Sequence, residues 1–193
     1  MGIKKEERRS RTRHAVFLDR DGVINRALVC DGKPYPPTNL DEFELLPDII
    51  DACKKLKEAG YMIVVATNQP DVGRGTLPQS AVEEMHNFLL KHLPIDRIEV
   101  CYHPGHGQSN CDCRKPLPGM LLRASKELRL DLLRSWMVGD RFTDIICGRA
   151  VGCRTILVGE GDNEESRVTP DFHVSNLAEA VAKILSCAML RPC

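Results

Sequence analysis

The segment Ala15-Val16-Phe17-Leu18-Asp19-Arg20-Asp21-Gly22 constrains this chain more than any other. An unbroken apolar run stops at two carboxylates spaced D-x-D, and a glycine follows at once. A continuous apolar run is how a strand buried on both faces reads in sequence. A strand that ends this way delivers charge to the carboxyl edge of its sheet, where ligands of open α/β sheets bind. Two carboxylates on same-side positions can share one divalent cation, or divide into a nucleophile and an acid/base.

Beyond that point apolar runs alternate with amphipathic stretches. Strands are expected at residues 15–18, 62–67, 99–102, 136–138 and 155–158, with a short sixth at 172–174. Helices are expected at about 48–59, 78–93, 118–128, 143–151 and 177–185. Ile49, Ala52, Cys53 and Leu56 follow i, i+3, i+4, i+7 spacing, so one face of that helix packs on a sheet. Gly60 suits a left-handed cap beyond it, and Pro47 and Pro78 suit helix starts. The alternation implies an α/β fold, a Rossmann-like three-layer α/β/α arrangement around a parallel sheet. One domain over residues 14–185 is expected, with no large cap domain. Basic residues 1–13, carrying Lys4, Lys5, Arg8, Arg9, Arg11 and Arg13, and residues 186–193 read as loose tails. Three stretches stand outside the alternation: 27–40, with Pro34, Pro36 and Pro37, reads as a long loop over the active edge; 104–119 is rich in Gly, Pro and Cys; 159–169 is polar and expected to be mobile.

Lys+Arg and Asp+Glu are 27 each, so no basic field is present to drive nucleic-acid binding. No run approaches the roughly 20 apolar residues of a membrane span. The charged N-terminus has no apolar run behind it, unlike a secretory signal. Nine cysteines, an odd number without such a signal, point to reduced thiols in a cytosol, some of them on metal. A cytoplasmic monomer with a small-molecule substrate, and no nucleic-acid or membrane partner, is the expectation.

Other apolar runs also end in polar residues suited to one job. Thr67 can donate a hydroxyl hydrogen bond to an anion, and so can the amide N–H of Asn68. Arg114 and Lys115 supply cations close to a helix start, and Asp140 and Asp144 add two more carboxylates. Acids for a metal, a hydroxyl and a lysine are what phosphoryl transfer needs. Cations neutralise the phosphate oxygens while a carboxylate attacks phosphorus. A second acid nearby can protonate the leaving oxygen and then deprotonate water. Cys101, His103, Cys111 and Cys113 frame one loop, and three thiols with an imidazole suit a closed, structural, tetrahedral zinc site. His106 competes with His103 as the nitrogen ligand. A bridge between Cys111 and Cys113 is disfavoured because C-x-C is too tight.

Asp19-Arg20-Asp21-Gly22, Thr67-Asn68-Gln69, Lys115 and Gly139-Asp140-x-x-x-Asp144 resemble, in order, the four signatures of the haloacid dehalogenase-like phosphohydrolases. The resemblance implies that Asp19 is the nucleophile and a magnesium ligand. It implies that Asp21 is the acid/base, with its main-chain carbonyl on the metal, and that Asp140 is the third metal contact. Thr67 and Lys115 would hold the phosphoryl group, and Asp144 would act through water or by orienting Lys115. Val72-Gly73-Arg74-Gly75, Cys101-x-His103, Cys111-Asp112-Cys113-Arg114-Lys115-Pro116 and Pro118-Gly119-Met120 look like the D-glycero-D-manno-heptose 1,7-bisphosphate 7-phosphatases of lipopolysaccharide precursor synthesis. The C-x-H pair recurs there, which favours His103. Histidinol-phosphate phosphatases share the zinc loop and the Arg-Lys-Pro step and are the alternative. A non-enzymatic zinc-containing binding module is the remote one, opposed by the neutral charge and the complete acid series. Pro70-Asp71 departs from the Ser-Gly usual in the heptose family. A bisphosphate needs a second anion site, for which Arg114 is the first candidate, with Arg74 and Arg141 behind it. Arg20 stands open between an anion contact and a solvated charge.

Overall fold

In the computed structural model the chain runs β1 (Ala15–Leu18), β2 (Leu28–Cys30), β3 (Lys33–Tyr35), α1 (Ile49–Glu58), β4 (Met62–Asn68), α2 (Pro70–Arg74), α3 (Gln79–His92), β5 (Arg97–Cys101), α4 (Gly119–Leu128), β6 (Trp136–Gly139), α5 (Phe142–Ala150), β7 (Arg154–Val158), β8 (Phe172–Val174) and α6 (Leu177–Met189). The structure describes residues 12–30, 33–105, 111–161 and 168–189. The basic tail up to Arg11, His106, residues 162–167 of the polar stretch and the last four residues lie outside the described residues.

Six strands form one sheet in the order β5-β4-β1-β6-β7-β8, parallel at every pairing. The chain builds outward from β1 through β4 to β5, then returns to the other side of β1 through β6. Order therefore reverses between β1 and β6, the switch point at whose carboxyl ends α/β folds hold ligands. Side chains alternate between faces along each strand. Val16, Leu18, Ile63, Val65 and Val138 pack with Leu56 of α1, Met85 of α3 and Ile184 of α6. Phe17, Val64, Ala66 and Met137 pack with Met120 and Leu121 of α4 and Cys147 of α5. Helices on both faces explain why β1 could be apolar throughout: all four of its residues are fully buried. The three-layer α/β/α reading therefore describes the fold found.

Three differences from the sequence reading have local causes. The stretch 27–40 is not simply a loop, because β2 and β3 pair antiparallel as a separate two-stranded sheet. Its prolines argued against strands, but a two-stranded ribbon leaves an edge where a missing N–H costs nothing. This excursion is closed at its base by hydrogen bonds from Arg26 to Glu44 and from Leu46 to Ile24. Residues 70–74 form the short helix α2, begun by Pro70 at its first turn and ended by the left-handed Gly75. Helix α6 runs on to Met189 instead of ending at residue 185, since no glycine or proline interrupts the sequence before Pro192. No helix among the described residues is long and apolar enough to cross a membrane.

Candidate active site

The carboxyl edge collects charge that arrives from four separate segments. Asp19 follows β1, Asp140 follows β6, Asp144 sits in the first turn of α5, and Lys115 comes from the segment before α4. Asp19, Asp140 and Asp144 each offer an oxygen, and the three lie within 4.8 Å of one another. The Lys115 ammonium stands 2.8 Å from Asp19 Oδ1 and 2.6 Å from Asp144 Oδ1, and donates to the Ala66 carbonyl at 2.7 Å. The side chains of Lys115 and Asp144 are only 2% and 1% exposed, so Asp144 is no solvated surface acid. Burial pushes the Asp144 carboxyl up to about 6 despite Lys115 beside it. Burial and then the charges of Asp19 and Asp144 push Asp140 up to about 7. For Lys115, burial favours the neutral amine, but the Asp144 and Asp19 carboxylates outweigh it and the net shift is upward.

Three carboxylates face one ammonium, so the cluster is short of positive charge. Asp140 Oδ1 is moreover buried without a partner, the condition a polar atom avoids unless a ligand completes it. Hard oxygen donors with an open valence fit magnesium, and Asp19 and Asp140 would hold it. Two glycines make the cluster possible. Gly22 has φ +87°, and a Cβ on it would lie 2.2 Å from Asp140 Oδ2. A Cβ on Gly139 would lie 2.2 Å from the Asp144 side chain.

Thr67 is buried at the end of β4, and its Oγ1 accepts from Gln69 Nε2 at 2.9 Å. With that lone pair used, the hydroxyl hydrogen is free to aim at an anion. The same Gln69 nitrogen donates to Asp21 Oδ2 at 2.8 Å. The Asn68 side chain reaches across to the Lys115 segment. Its side-chain oxygen accepts from the Lys115 N–H and its NH2 donates to the Lys115 carbonyl, both at 3.1 Å. The side chain thus splints the lysine backbone instead of facing a substrate. Arg20 is not a solvated charge either: it is completely buried against Asp21, His86 and the Phe43 ring. The contacts of Gln69 with Asp21 and of His86 with Arg20 carried no local sequence signal, because these partners lie 48 and 66 residues away.

Cys101 ends β5, and the His103 Nδ1 atom lies 3.4 Å from its sulfur and 3.2 Å from that of Cys113. These three and Cys111 offer ligand atoms all within 4.8 Å of one another. Three sulfurs and one imidazole nitrogen at this spacing fit tetrahedral zinc, with no position left for water. Burial pushes the Cys101 thiol up to about 12, aided by the neighbouring Cys113. A cation is therefore needed to draw out the thiolates. The cysteines among the described residues are free of disulfides.

The three candidate arginines fare differently. Arg114 packs on Gly105, with a buried Nη1 that has no partner. Arg74 is committed to the Pro104 carbonyl and to Asp71, each at 3.2 Å, which ties α2 to the zinc loop. Arg141 is exposed at the start of α5, and its main-chain N–H bonds Asp144 Oδ2 at 3.1 Å.

Comparison with known proteins gives these arrangements context. A family model described as HAD-hydrolase-like matches residues 112–180. The D-glycero-β-D-manno-heptose-1,7-bisphosphate 7-phosphatase of Pseudomonas aeruginosa is 39% identical over 153 residues, covering 78% of this chain and 83% of that protein. The enzyme of the same name from Yersinia pestis is 34% identical over 178 residues, 86% of this chain and 92% of that one. Among solved structures, the D,D-heptose 1,7-bisphosphate phosphatase of B. bronchiseptica, complexed with magnesium and phosphate, superposes with a TM-score of 0.75 at 28% identity, covering 90% of this chain and 98% of that chain. That of Burkholderia thailandensis gives 0.62 at 26% identity, covering 90% and 99%.

Three outcomes follow from this geometry. Gly139→Ala should displace Asp144 and slow turnover on the order of 100-fold, as a misplacement near the chemistry does, with little loss of fold by circular dichroism. Cys111→Ser should lower the melting temperature of zinc-loaded protein, and chelation should then lower it no further. The third concerns His86, whose pKa falls from 6.5 to about 4, first through burial and then through Arg20. The unfolded chain takes up this proton near 6.5 and the folded one only near 4, so this group removes stability as pH falls through that window, by about 3 kcal/mol in all. Without metal, raised Asp140 and Asp144 act in the opposite direction. The His86 share is therefore the difference in urea-unfolding free energy between wild type and His86→Leu, which should narrow from pH 7 to pH 4.5.

Proposed function

The chain belongs to the D-glycero-β-D-manno-heptose-1,7-bisphosphate 7-phosphatase family, and from that membership we propose that it removes the 7-phosphate of the heptose 1,7-bisphosphate, leaving the 1-phosphate in place. It is a phosphoric monoester hydrolase of the haloacid dehalogenase type. The observation that carries the reading is the buried Asp19–Lys115–Asp144 ion pair set beside the open valence of Asp140.

Asp19 Oδ1 is committed to Lys115 and to the Arg20 main-chain N–H at 2.7 Å, so Oδ2 is the oxygen left to attack phosphorus. As the Oδ2–P bond forms, the bond from phosphorus to the sugar oxygen breaks, and a proton from the Asp21 carboxyl moves to that oxygen. Asp21 then takes a proton from water. The water oxygen attacks the aspartyl-phosphate, the Oδ2–P bond breaks, and inorganic phosphate leaves with Asp19 regenerated. Lys115 and the Thr67 hydroxyl draw charge from the phosphoryl oxygens throughout. Magnesium, when held by Asp19, Asp140 and the Asp21 carbonyl, would add positive charge at the same place. Asp144 orients Lys115 directly, at 2.6 Å.

The second phosphate needs a cation outside the carboxylate cluster. Arg114 meets that need best, since a buried guanidinium nitrogen without an acceptor favours a phosphate oxygen. Arg74 already has two acceptors and contributes through the position of the zinc loop; Arg141 remains a candidate at the rim. The relatives are named for the heptose bisphosphate and for its β anomer, which favours that substrate over histidinol phosphate.

Phosphate release with magnesium, from both anomers of the heptose bisphosphate, from histidinol phosphate and from fructose 1,6-bisphosphate, tests the reading. The β anomer should have the highest kcat/KM and yield the 1-phosphate; a preference for histidinol phosphate would overturn the substrate. Asp19→Asn should lower kcat by roughly 10⁴-fold or more with folding intact, as loss of a nucleophile does.

A further inference from the structure

We infer that Arg20 is a positioning residue for proton transfer by Asp21, with His86 as the acceptor that keeps Arg20 in place. The inference deepens the proposed function and rests on Asp21 as its acid and base.

The geometry around Asp21 is unusually complete. Arg20 Nε donates to Asp21 Oδ1 at 3.1 Å, and Nη2 donates to Oδ1 at 3.0 Å and to Oδ2 at 3.1 Å. Asn25 Nδ2 adds a bond to Oδ1 at 3.0 Å, and Gln69 Nε2 one to Oδ2 at 2.8 Å. Both carboxylate oxygens are thus fixed from two sides. A planar guanidinium sets direction as well as charge, which a point charge does not. The remaining arm, Nη1, lies 3.2 Å from His86 Nε2 on α3. Beside an obligate donor that nitrogen must be the acceptor, so the imidazole carries its proton on Nδ1. Phe43 closes the remaining side, its ring centre 5.6 Å from the Arg20 Cζ.

A side chain buried this fully has to justify its desolvation, and among the described residues the polar contacts of the Arg20 side chain end on Asp21 and His86. The network also reaches the phosphate grip, because the Gln69 nitrogen that holds Asp21 also holds Thr67 Oγ1. The proton donor and the phosphate hydroxyl are therefore set relative to one another. The Asp21 side chain nevertheless keeps 18% of its surface exposed, so it is not sealed from a substrate.

The test exploits leaving groups. A sugar alkoxide needs a proton to depart, whereas p-nitrophenolate does not. In Arg20→Lys, kcat on the heptose bisphosphate should fall on the order of 100-fold, the scale of acid/base catalysis, with KM nearly unchanged. With p-nitrophenyl phosphate, rapid-quench should still show a nitrophenolate burst close to one per site, followed by slow turnover, because water activation also needs Asp21. His86→Leu, which leaves the guanidinium in place, should show the same pattern with a smaller loss. Loss of the nitrophenolate burst, a rise in KM in place of the fall in kcat, or no loss at all on the heptose bisphosphate would each overturn the inference. An active wild type with such a result overturns it alone. A wild type inactive on both substrates overturns the phosphatase reading as well.

Discussion

A lysine ammonium sealed between two carboxylates is the constraint on which the rest of the molecule depends. Lys115 has almost no contact with solvent, and neither does Asp144. Either charge alone at that depth would cost several kcal/mol. Together, with the Ala66 carbonyl as third acceptor, they are tolerable and rigid. Asp19 then joins a lysine already held from below, so its reactive oxygen is directed by interactions formed before any substrate arrives. The two glycines that let Asp140 and Asp144 approach belong to the same solution, since any side chain there would occupy the space of a carboxylate.

The lysine is secured along its backbone too. The side-chain amide of Asn68 grips both the main-chain N–H and the carbonyl of Lys115. On its other side the chain passes directly into Cys113 and the sulfur–imidazole cluster. A metal there would fix the segment N-terminal to Lys115, while Asn68 fixes the residue itself. A zinc held there would thus contribute to catalysis without touching a reacting atom, by lowering the disorder the cation would otherwise retain.

Sequence and structure diverge in an instructive way. The strand ends carrying Asp19, Thr67 and Asp140 were legible because a break from apolar to charged residues is a local signal, and β-strand alternation turns it into a position. Burial of a charge is not local. Asp144 and Arg20 look the same in sequence whether they face water or the interior, and only the packing of α5 and α3 decides. The role of the Asn68 side chain was hidden for a related reason: its partner, 47 residues away, is visible only in three dimensions. The β2–β3 hairpin was hidden by prolines whose effect depends on whether a strand is an edge. The grouping of Cys101, His103, Cys111 and Cys113 was readable because their spacing is short-range; the state of Arg114 was not, because an unmet hydrogen bond is defined by what is missing around it.

The Asn68 grip also shapes how such a protein can change over time. By pinning Lys115 to the end of β4, it turns everything from α2 through β5 and the cysteine loop into a closed excursion with a fixed mouth. The entropy of closing such a loop grows only slowly with its length. Residues can be added to or lost from the exposed turns of the excursion, away from the packed α3 and β5 and the cysteine cluster, with little penalty and without moving the cation at its mouth. Selection for new substrates can then act on the loop while the reaction centre stays as it is, so that chemistry and recognition are inherited as separable parts.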